Sequence, residues 1–169
     1  MRPAADEIVA TLGLEPHPEG GFYRETYRAA VCVDTARGPR SAATAILFLV
    51  TADAPSRLHR LASDELWVFQ GGLPLELVRL SVFGETSVVL AEPGGARGAA
   101  PRQPQALVHA GVWQGARVAG ARGSPAGRAW SLVSCIVTPG FDRADFELGR
   151  RDELLGLFPG QRALVEALT

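Results

Sequence analysis

The stretch from Ser56 to Gly72, SRLHRLASDELWVFQGG, carries more chemistry per residue than any other part of the chain. It sets His59 before a short turn, Arg60 to Asp64, and Glu65 at the start of a strand, Glu65 to Phe69. The turn signal Gln70-Gly71-Gly72 closes that strand. An imidazole and a carboxylate from neighbouring strand ends can share a metal ion, or act as base and orienting partner in a proton transfer. Both chemistries need the pair inside a cavity. The plainer readings are as concrete: His59 satisfied structurally by Asp64, and Glu65 paired with Arg60 or Arg57.

A second block, LEPHPEGGFYRETYRA, precedes it. Pro16, Pro18, Gly20 and Gly21 forbid a helix, and Phe22 to Arg28 alternate as a strand with Tyr23, Glu25 and Tyr27 on one face and Phe22, Arg24 and Thr26 on the other. One of these faces is polar enough to do more than pack, although Arg24 and Glu25 can also form a simple ion pair. Glu19-Gly20-Gly21 reads as a turn that lets the strand begin. His17, between two prolines, reads as a loop residue, with a cap on the mouth of a pocket as the alternative.

The elements that must position these groups fit within one domain, residues 1–169, a length that buries a core without staples. Hydrophobic residues make up 47% and charged residues 21%, and 17 basic residues against 18 acidic give a net charge of −1. That balance asks for neither nucleic acid nor anionic lipid. With an acidic start in place of a basic signal region, and no apolar run near the roughly 20 residues of a membrane span, a cytoplasmic protein is expected. Cys32 and Cys135, each in an apolar stretch, are expected as free buried thiols.

A short helix is predicted over Asp6 to Leu12, ended by Gly13. Ala43 to Val50, ATAILFLV, and Trp130 to Val137, WSLVSCIV, read as strands buried on both faces. Further strands are predicted at Leu75 to Leu80, Ser87 to Leu90, and Gln105 to Ala110, the last resumed by Val112 to Val118. Phe83 to Thr86 reads as a hairpin turn, and 92–102 and 119–127 as loops. Arg151 to Phe158 and Gln161 to Leu168 carry helical patterns parted by Pro159-Gly160. Many short, regularly spaced strands indicate an all-β barrel or sandwich with small terminal helices.

Four blocks carry a resemblance: HPEGGFYRETYR (His17 to Arg28), HRLASDELWVFQGGLPLEL (His59 to Leu77), HAGVWQGA (His109 to Ala116) and SLVSCIVTPGFDRADFEL (Ser131 to Leu148). Together they resemble the cupins, in particular a group of small bacterial and fungal cupins of unknown function. The resemblance implies a double-stranded β-helix, or jelly-roll, barrel with short N- and C-terminal helices. Its first motif ends in Glu, six residues and Gly, matched by Glu65 and Gly72, but His59 is the one evident imidazole of the usual pair. Val68 stands where related sequences commonly place a second histidine. In the second motif Gln114 holds the ligand position and His109 replaces the usual proline, at the rim. His59, Glu65 and Gln114 are thus the candidate metal set, a poor one because an amide oxygen is a weak ligand; a divalent ion (Fe, Mn, Ni or Zn) stays open.

GFYRETY is also similar, more distantly, to a stretch of the dTDP-sugar 3,5-epimerases, metal-free relatives that use a histidine base and a tyrosine acid; where they have an arginine before the glycine, this chain has Gly20. The resemblance implies an isomerase or epimerase moving a proton on a sugar, a sugar nucleotide or a similar polar carbonyl metabolite. His59, Glu65 and Tyr23 are its candidate catalytic residues. Gln114, Trp67, Trp113, Arg24, Glu25 and Phe22 are the candidate substrate-binding residues. A metal-dependent oxygenase or lyase and a non-catalytic binding module are the alternatives. A homodimer is expected, because relatives pair through sheet extension and the N-terminal strand needs an edge to join.

Overall fold

The structure, a computed structural model, describes residues 3–81, 84–93, 102–121, 125 and 127–169. Of the expected turn only Phe83 lies outside the described residues; Gly84 to Thr86 instead open a strand paired with Arg79 to Ser81, and much of the two expected loops lies outside the described residues. One helix, α1 (Ala5–Leu12), precedes strands β1 (Glu15–Pro16), β2 (Phe22–Arg28), β3 (Cys32–Val33), β4 (Arg40–Ser41), β5 (Thr44–Thr51), β6 (Ser56–Leu61) and β7 (Asp64–Gly72). There follow β8 (Leu75–Ser81), β9 (Gly84–Leu90), β10 (Arg102–Gln103), β11 (Gln105–Val108), β12 (Trp113–Val118), β13 (Trp130–Thr138) and β14 (Phe146–Leu148), then α2 (Arg151–Leu157) and α3 (Arg162–Ala167). The expected all-β architecture with short helices at both ends is what forms.

Two six-stranded sheets face each other, one in the order β1-β2-β5-β13-β7-β11 and the other β10-β9-β8-β12-β6-β14; β3 and β4 make a separate hairpin. The two apolar runs became the adjacent strands β5 and β13, paired antiparallel from Thr44↔Val137 to Thr51↔Trp130. β11 and β12, read from the sequence as one strand resumed, belong to opposite sheets, because the chain turns at Gly111, whose φ is +79°. His59, expected before a turn, lies within β6, and the turn shrinks to Ala62-Ser63 between β6 and β7.

The side-chain period of two sorts each strand into an inner and an outer face. Between the sheets, Phe48, Val50, Trp67, Val133 and Cys135 from one meet Leu75, Leu77, Val88, Leu90, Ala116 and Val118 from the other. Outside the second sheet, α2 and α3 cover Leu58, Val78, Leu80 and Trp113 with Leu154, Leu164, Val165 and Leu168. Outside the first, α1 and Leu14 pack on Leu49, Trp130, Phe22, Leu47 and Leu132. Each fully buried Leu, Val or Phe contributes about 1.5–3 kcal/mol, so the interleaved part of the barrel holds it together. Cys135 is buried as expected, whereas Cys32 is exposed on the small hairpin, where no second layer covers it. Among the described residues no helix is long and apolar enough to cross a membrane.

Candidate active site

The inner rows change character along the barrel. On β5 the inward row runs Val50, Phe48, Ile46, Thr44; on β13, Val133, Cys135, Val137; on β7, Trp67, Glu65. Val50, Val133 and Trp67 belong to the packed core, while Thr44, Ile46, Val137 and Glu65 line a cavity together with His59 and Leu61 of β6. The cavity gives about 40 Å³ to the centres of water-sized molecules. Because a single water needs roughly 10–15 Å³ on this measure, the space suits a few waters or a small ligand. Phe141 and Phe146 line it too, and Glu25, whose side chain is 39% exposed, marks where it meets solvent.

Two of its polar groups come from the segment between β1 and β2. The His17 backbone N–H donates to the Gly21 carbonyl at 3.0 Å, and the His17 carbonyl accepts the Gly20 N–H at 3.0 Å, a tight turn. The turn lays Glu19 against the start of β6. There the Arg57 N–H donates to the Glu19 carbonyl at 2.8 Å, the Arg57 guanidinium to the Pro18 carbonyl at 2.5 Å, and the Ser56 hydroxyl to Glu19 Oε1 at 2.8 Å. Two glycines make this closeness possible. Gly20 has φ +109° and a Cβ there would stand 2.1 Å from the Pro55 carbonyl oxygen; Gly21 has φ +66° and a Cβ would meet the Leu49 oxygen at 2.6 Å. His17 to Gly21 is therefore a strap stitched across β6 that delivers two side chains to the cavity.

His59 donates through Nδ1–H to the Arg57 carbonyl at 2.8 Å, which leaves Nε2 as the ring's acceptor, 3.3 Å from Glu19 Oε2. Its ring stacks on Phe146, centroids 5.5 Å apart. Burial pushes the imidazole below its ordinary value of 6.5, against the pull of Glu65 and the Arg57 carbonyl. Glu19 is raised from 4.5 to about 8, by burial first, against the Ser56 hydrogen bond and the Arg57 charge. A buried neutral imidazole facing a buried acid means that the pair holds one proton between them. Glu65 is raised to about 7, again by burial first, with His59 pulling the other way and Glu19 adding to the rise. No Lys or Arg lines the cavity among the described residues.

Glu65 is oriented from behind. The Gln114 amide donates to Glu65 Oε2 at 2.5 Å, and Gln114 Oε1 accepts the Trp67 indole N–H at 2.9 Å. Gln114, the register partner of His59 on β12, is fully buried and does not line the cavity, so it holds Glu65 rather than reaching a ligand as the sequence reading had it. Trp67 likewise stands in the packed core as the far end of this relay.

The other expected site residues divide. Glu25 lines the cavity, paired with Arg28 at 2.7 Å rather than with Arg24. Tyr23 turns inward, but its ring packs edge-on against His17 at 4.6 Å and against the core and is not among the cavity-lining residues. A bulge between Glu25 and Tyr27 breaks the expected alternation and leaves Tyr27 56% exposed. Trp113 faces away from the barrel, under α2 and α3, because Gln114, Ala116 and Val118 take the inner face of β12. Phe22 packs beneath α1, and Arg24 is exposed. Asp64 accepts the Ala110 N–H and does not serve His59, while Arg60 pairs with Glu147, not Glu65. His109 is at the rim, its side chain 73% exposed. Glu19 was read as part of a turn; its one local sign was the Gly-Gly pair after it, which permits a fold-back without revealing what the fold-back buries.

A divalent ion does not fit this donor set. Among the described residues no three His, Cys, Asp or Glu side chains converge as metal ligands, and the amide oxygen of Gln114, the third donor of the expected set, accepts the Trp67 N–H.

Residues 6–149 match the family described as Cupin superfamily (DUF985). A solved structure of a hypothetical protein from Leishmania major is 37% identical, with a TM-score of 0.85 and 99% of each chain covered. A protein from Shewanella oneidensis is 35% identical at a TM-score of 0.83, covering 99% of this chain and 98% of that one. An oxalate decarboxylase from Lactobacillus farciminis shares the fold alone: 12% identity and a TM-score of 0.51, over 92% of this chain and 41% of that one. None of the curated proteins compared with the chain matches it. With its two facing sheets, half-filled barrel and family match over most of its length, the chain belongs to the cupin superfamily, in the family designated DUF985.

Proposed function

We propose that the chain is an enzyme that moves a proton on a small polar carbonyl compound, an isomerase or epimerase of a sugar or a similar metabolite. The observation that carries this is a pair of buried carboxyl groups in one cavity, Glu65 and Glu19, held near neutrality by burial and separated in role by their partners. Catalytic acids and bases work best when their pKa lies near the working pH, and here both do. Glu65, fixed by Gln114, is the base that takes the proton beside the carbonyl. The Glu19–His59 pair, holding one proton between Oε2 and Nε2, returns a proton to carbon. His59 therefore acts with Glu19 rather than as a lone base.

The room available favours a compound of a few heavy atoms over a whole sugar nucleotide. The metal-dependent oxygenase or lyase loses support because the donors do not converge. The test is hydrogen exchange: glyceraldehyde, dihydroxyacetone and erythrose incubated with the protein in deuterated water and followed by proton NMR. Deuterium entering beside the carbonyl, and lost in Glu65→Gln, supports the reading. Binding of the same compounds with no exchange would leave the non-catalytic module instead.

A homodimer remains part of this proposal. β1 covers β2 only at Phe22 and Tyr23, so the rest of that edge, with the exposed Tyr27 and the nearby Val31 and Val33, favours pairing with a second copy. Light scattering at several concentrations measures it.

A further inference from the structure

His17 takes no part in the acid–base scheme above, yet it lines the same cavity. Its Nδ1 accepts the backbone N–H of Glu19 at 3.3 Å, and Glu19 Oε2 stands 3.6 Å from the same atom. Both neighbours therefore address Nδ1, one as a backbone donor and the other as a carboxyl group that burial favours in its acid form. A ring nitrogen that accepts cannot also carry the proton, so a neutral His17 carries it on Nε2. Among the described residues that N–H has no acceptor. Among the described residues the buried side-chain atoms without a partner are Arg79 Nε and Ser131 Oγ, so Nε2 is not one of them and opens into space rather than against protein.

The ring cannot turn away easily. Tyr23 meets it edge-on at 4.6 Å, Phe48 at 5.5 Å and Phe146 at 6.3 Å. With the ring walled by aromatics and its other nitrogen engaged, the remaining direction is the cavity. Burial holds His17 down at about 4, with His59 and Arg143 acting the same way, so the imidazole stays uncharged near neutrality. A neutral imidazole N–H is a suitable donor to an oxygen that gains charge, since it gives a hydrogen bond without surrendering its proton.

We propose that the Nε2–H of His17 binds the substrate's carbonyl oxygen and steadies the negative charge that develops there, making His17 a fourth catalytic residue beside Glu65, Glu19 and His59. The assignment rests on the proton-transfer reading. In that step the C–H bond beside the carbonyl breaks, its proton passes to a Glu65 oxygen, and the electron pair moves through the new C=C bond onto the oxygen. His17 keeps its proton throughout. A proton from the Glu19–His59 pair then forms the new C–H bond as the C=O bond returns, so no oxidant or reductant is needed.

Two measurements test this. Long-range proton–nitrogen NMR on the intact protein reads the His17 ring without any substrate: the Nε2–H neutral form between pH 6 and 8 is expected, and an Nδ1–H tautomer or a charged ring at pH 7 overturns the proposal. In the exchange assay, His17→Phe keeps the ring packing and removes the donor, so kcat should fall about 100-fold or more with KM little changed. His17→Gln, which retains an N–H, should recover part of the loss. A His17→Phe protein with wild-type kcat refutes the role while leaving the proton-transfer reading intact. Wild-type protein that exchanges none of the three probes removes that reading, and this assignment falls with it whatever the tautomer. If His17→Phe does not fold, the tautomer still decides on the unaltered chain.

Discussion

Replacing Glu19 with glutamine isolates the energetic cost of an acid buried in the strap. The folded protein holds the Glu19 proton up to about pH 8, whereas the unfolded chain releases it near 4.5. A folded-state pKa above the unfolded one means that the folded state binds more protons in this window. Its contribution is fully present below about pH 4.5 and is lost as the pH climbs through 8. At about 1.36 kcal/mol per unit, Glu19 alone should remove roughly 3.5 kcal/mol of stability between pH 5 and pH 8. Glutamine occupies the same shape, offers an oxygen to the Ser56 hydroxyl and an N–H to His59 Nε2, and does not titrate. Urea denaturation of both proteins at pH 5, 6, 7 and 8 should therefore show the variant gaining on the wild type by roughly 3.5 kcal/mol across the range, or about 7–14 °C in Tm for a chain of this size. Glu65 titrates in both proteins, but it loses the part of its rise that Glu19 supplies, which adds to the variant's gain in the same direction. Parallel curves would show that Glu19 is ionised or solvated in the folded state, and the acid role given to the Glu19–His59 pair would fail.

Three further outcomes follow from the packing. Gly20→Ala puts a Cβ 2.1 Å from the Pro55 oxygen at a φ of +109° and should cost at least about 2 kcal/mol in urea denaturation, with exchange activity lost because the strap is displaced. Gln114→Leu leaves Glu65 without its amide partner, so the protein should lose about 1–3 kcal/mol. The Glu65 pKa should rise with it, moving the basic-form limb of the pH–rate profile to higher pH. Trp113→Ala should cost about 3–5 kcal/mol by opening the core under α2 and α3, with probe affinity unchanged in the folded protein; weakened binding at full folding would return Trp113 to the site.

The strands buried on both faces were legible because nothing competes with an apolar run: β5 and β13 fall within a residue or so of their expected ends. β6 was missed because it carries His59 toward a polar cavity and Arg57 toward the strap, so its polar residues read like surface. Trp113 was misplaced for a related reason. Both faces of β12 are covered, one by the barrel and one by helices, and no local pattern says which of Trp113 and Gln114 faces inward. Within the site, His59 and Glu65 were found by type and spacing, since both lie on adjacent segments of one motif. Glu19 and His17 were read as turn and loop because their burial depends on contacts between the strap and Ser56, Arg57 and Pro55, some 35 to 39 residues away.

The same contacts account for why the two buried acids of this barrel are poised near neutral pH. A buried carboxylate needs a cation or several donors to stay charged, and here burial outweighs the donors present, led by the Gln114 amide on Glu65 and the Ser56 hydroxyl on Glu19. The Arg57 guanidinium, the nearest charge that acts on Glu19, spends its hydrogen bonds on the Pro18 and Glu19 carbonyls instead of the carboxyl group. Both acids are thereby left close to the pH at which a proton leaves as readily as it returns. Had the strap been fastened by an arginine on the Glu19 carboxylate itself, the fold would be as well held but the acid would be locked in its charged form. Fastening through backbone carbonyls keeps the strap in place and the proton available, so under the proposed proton transfer the two glycines and Arg57 serve the reaction without lining the cavity.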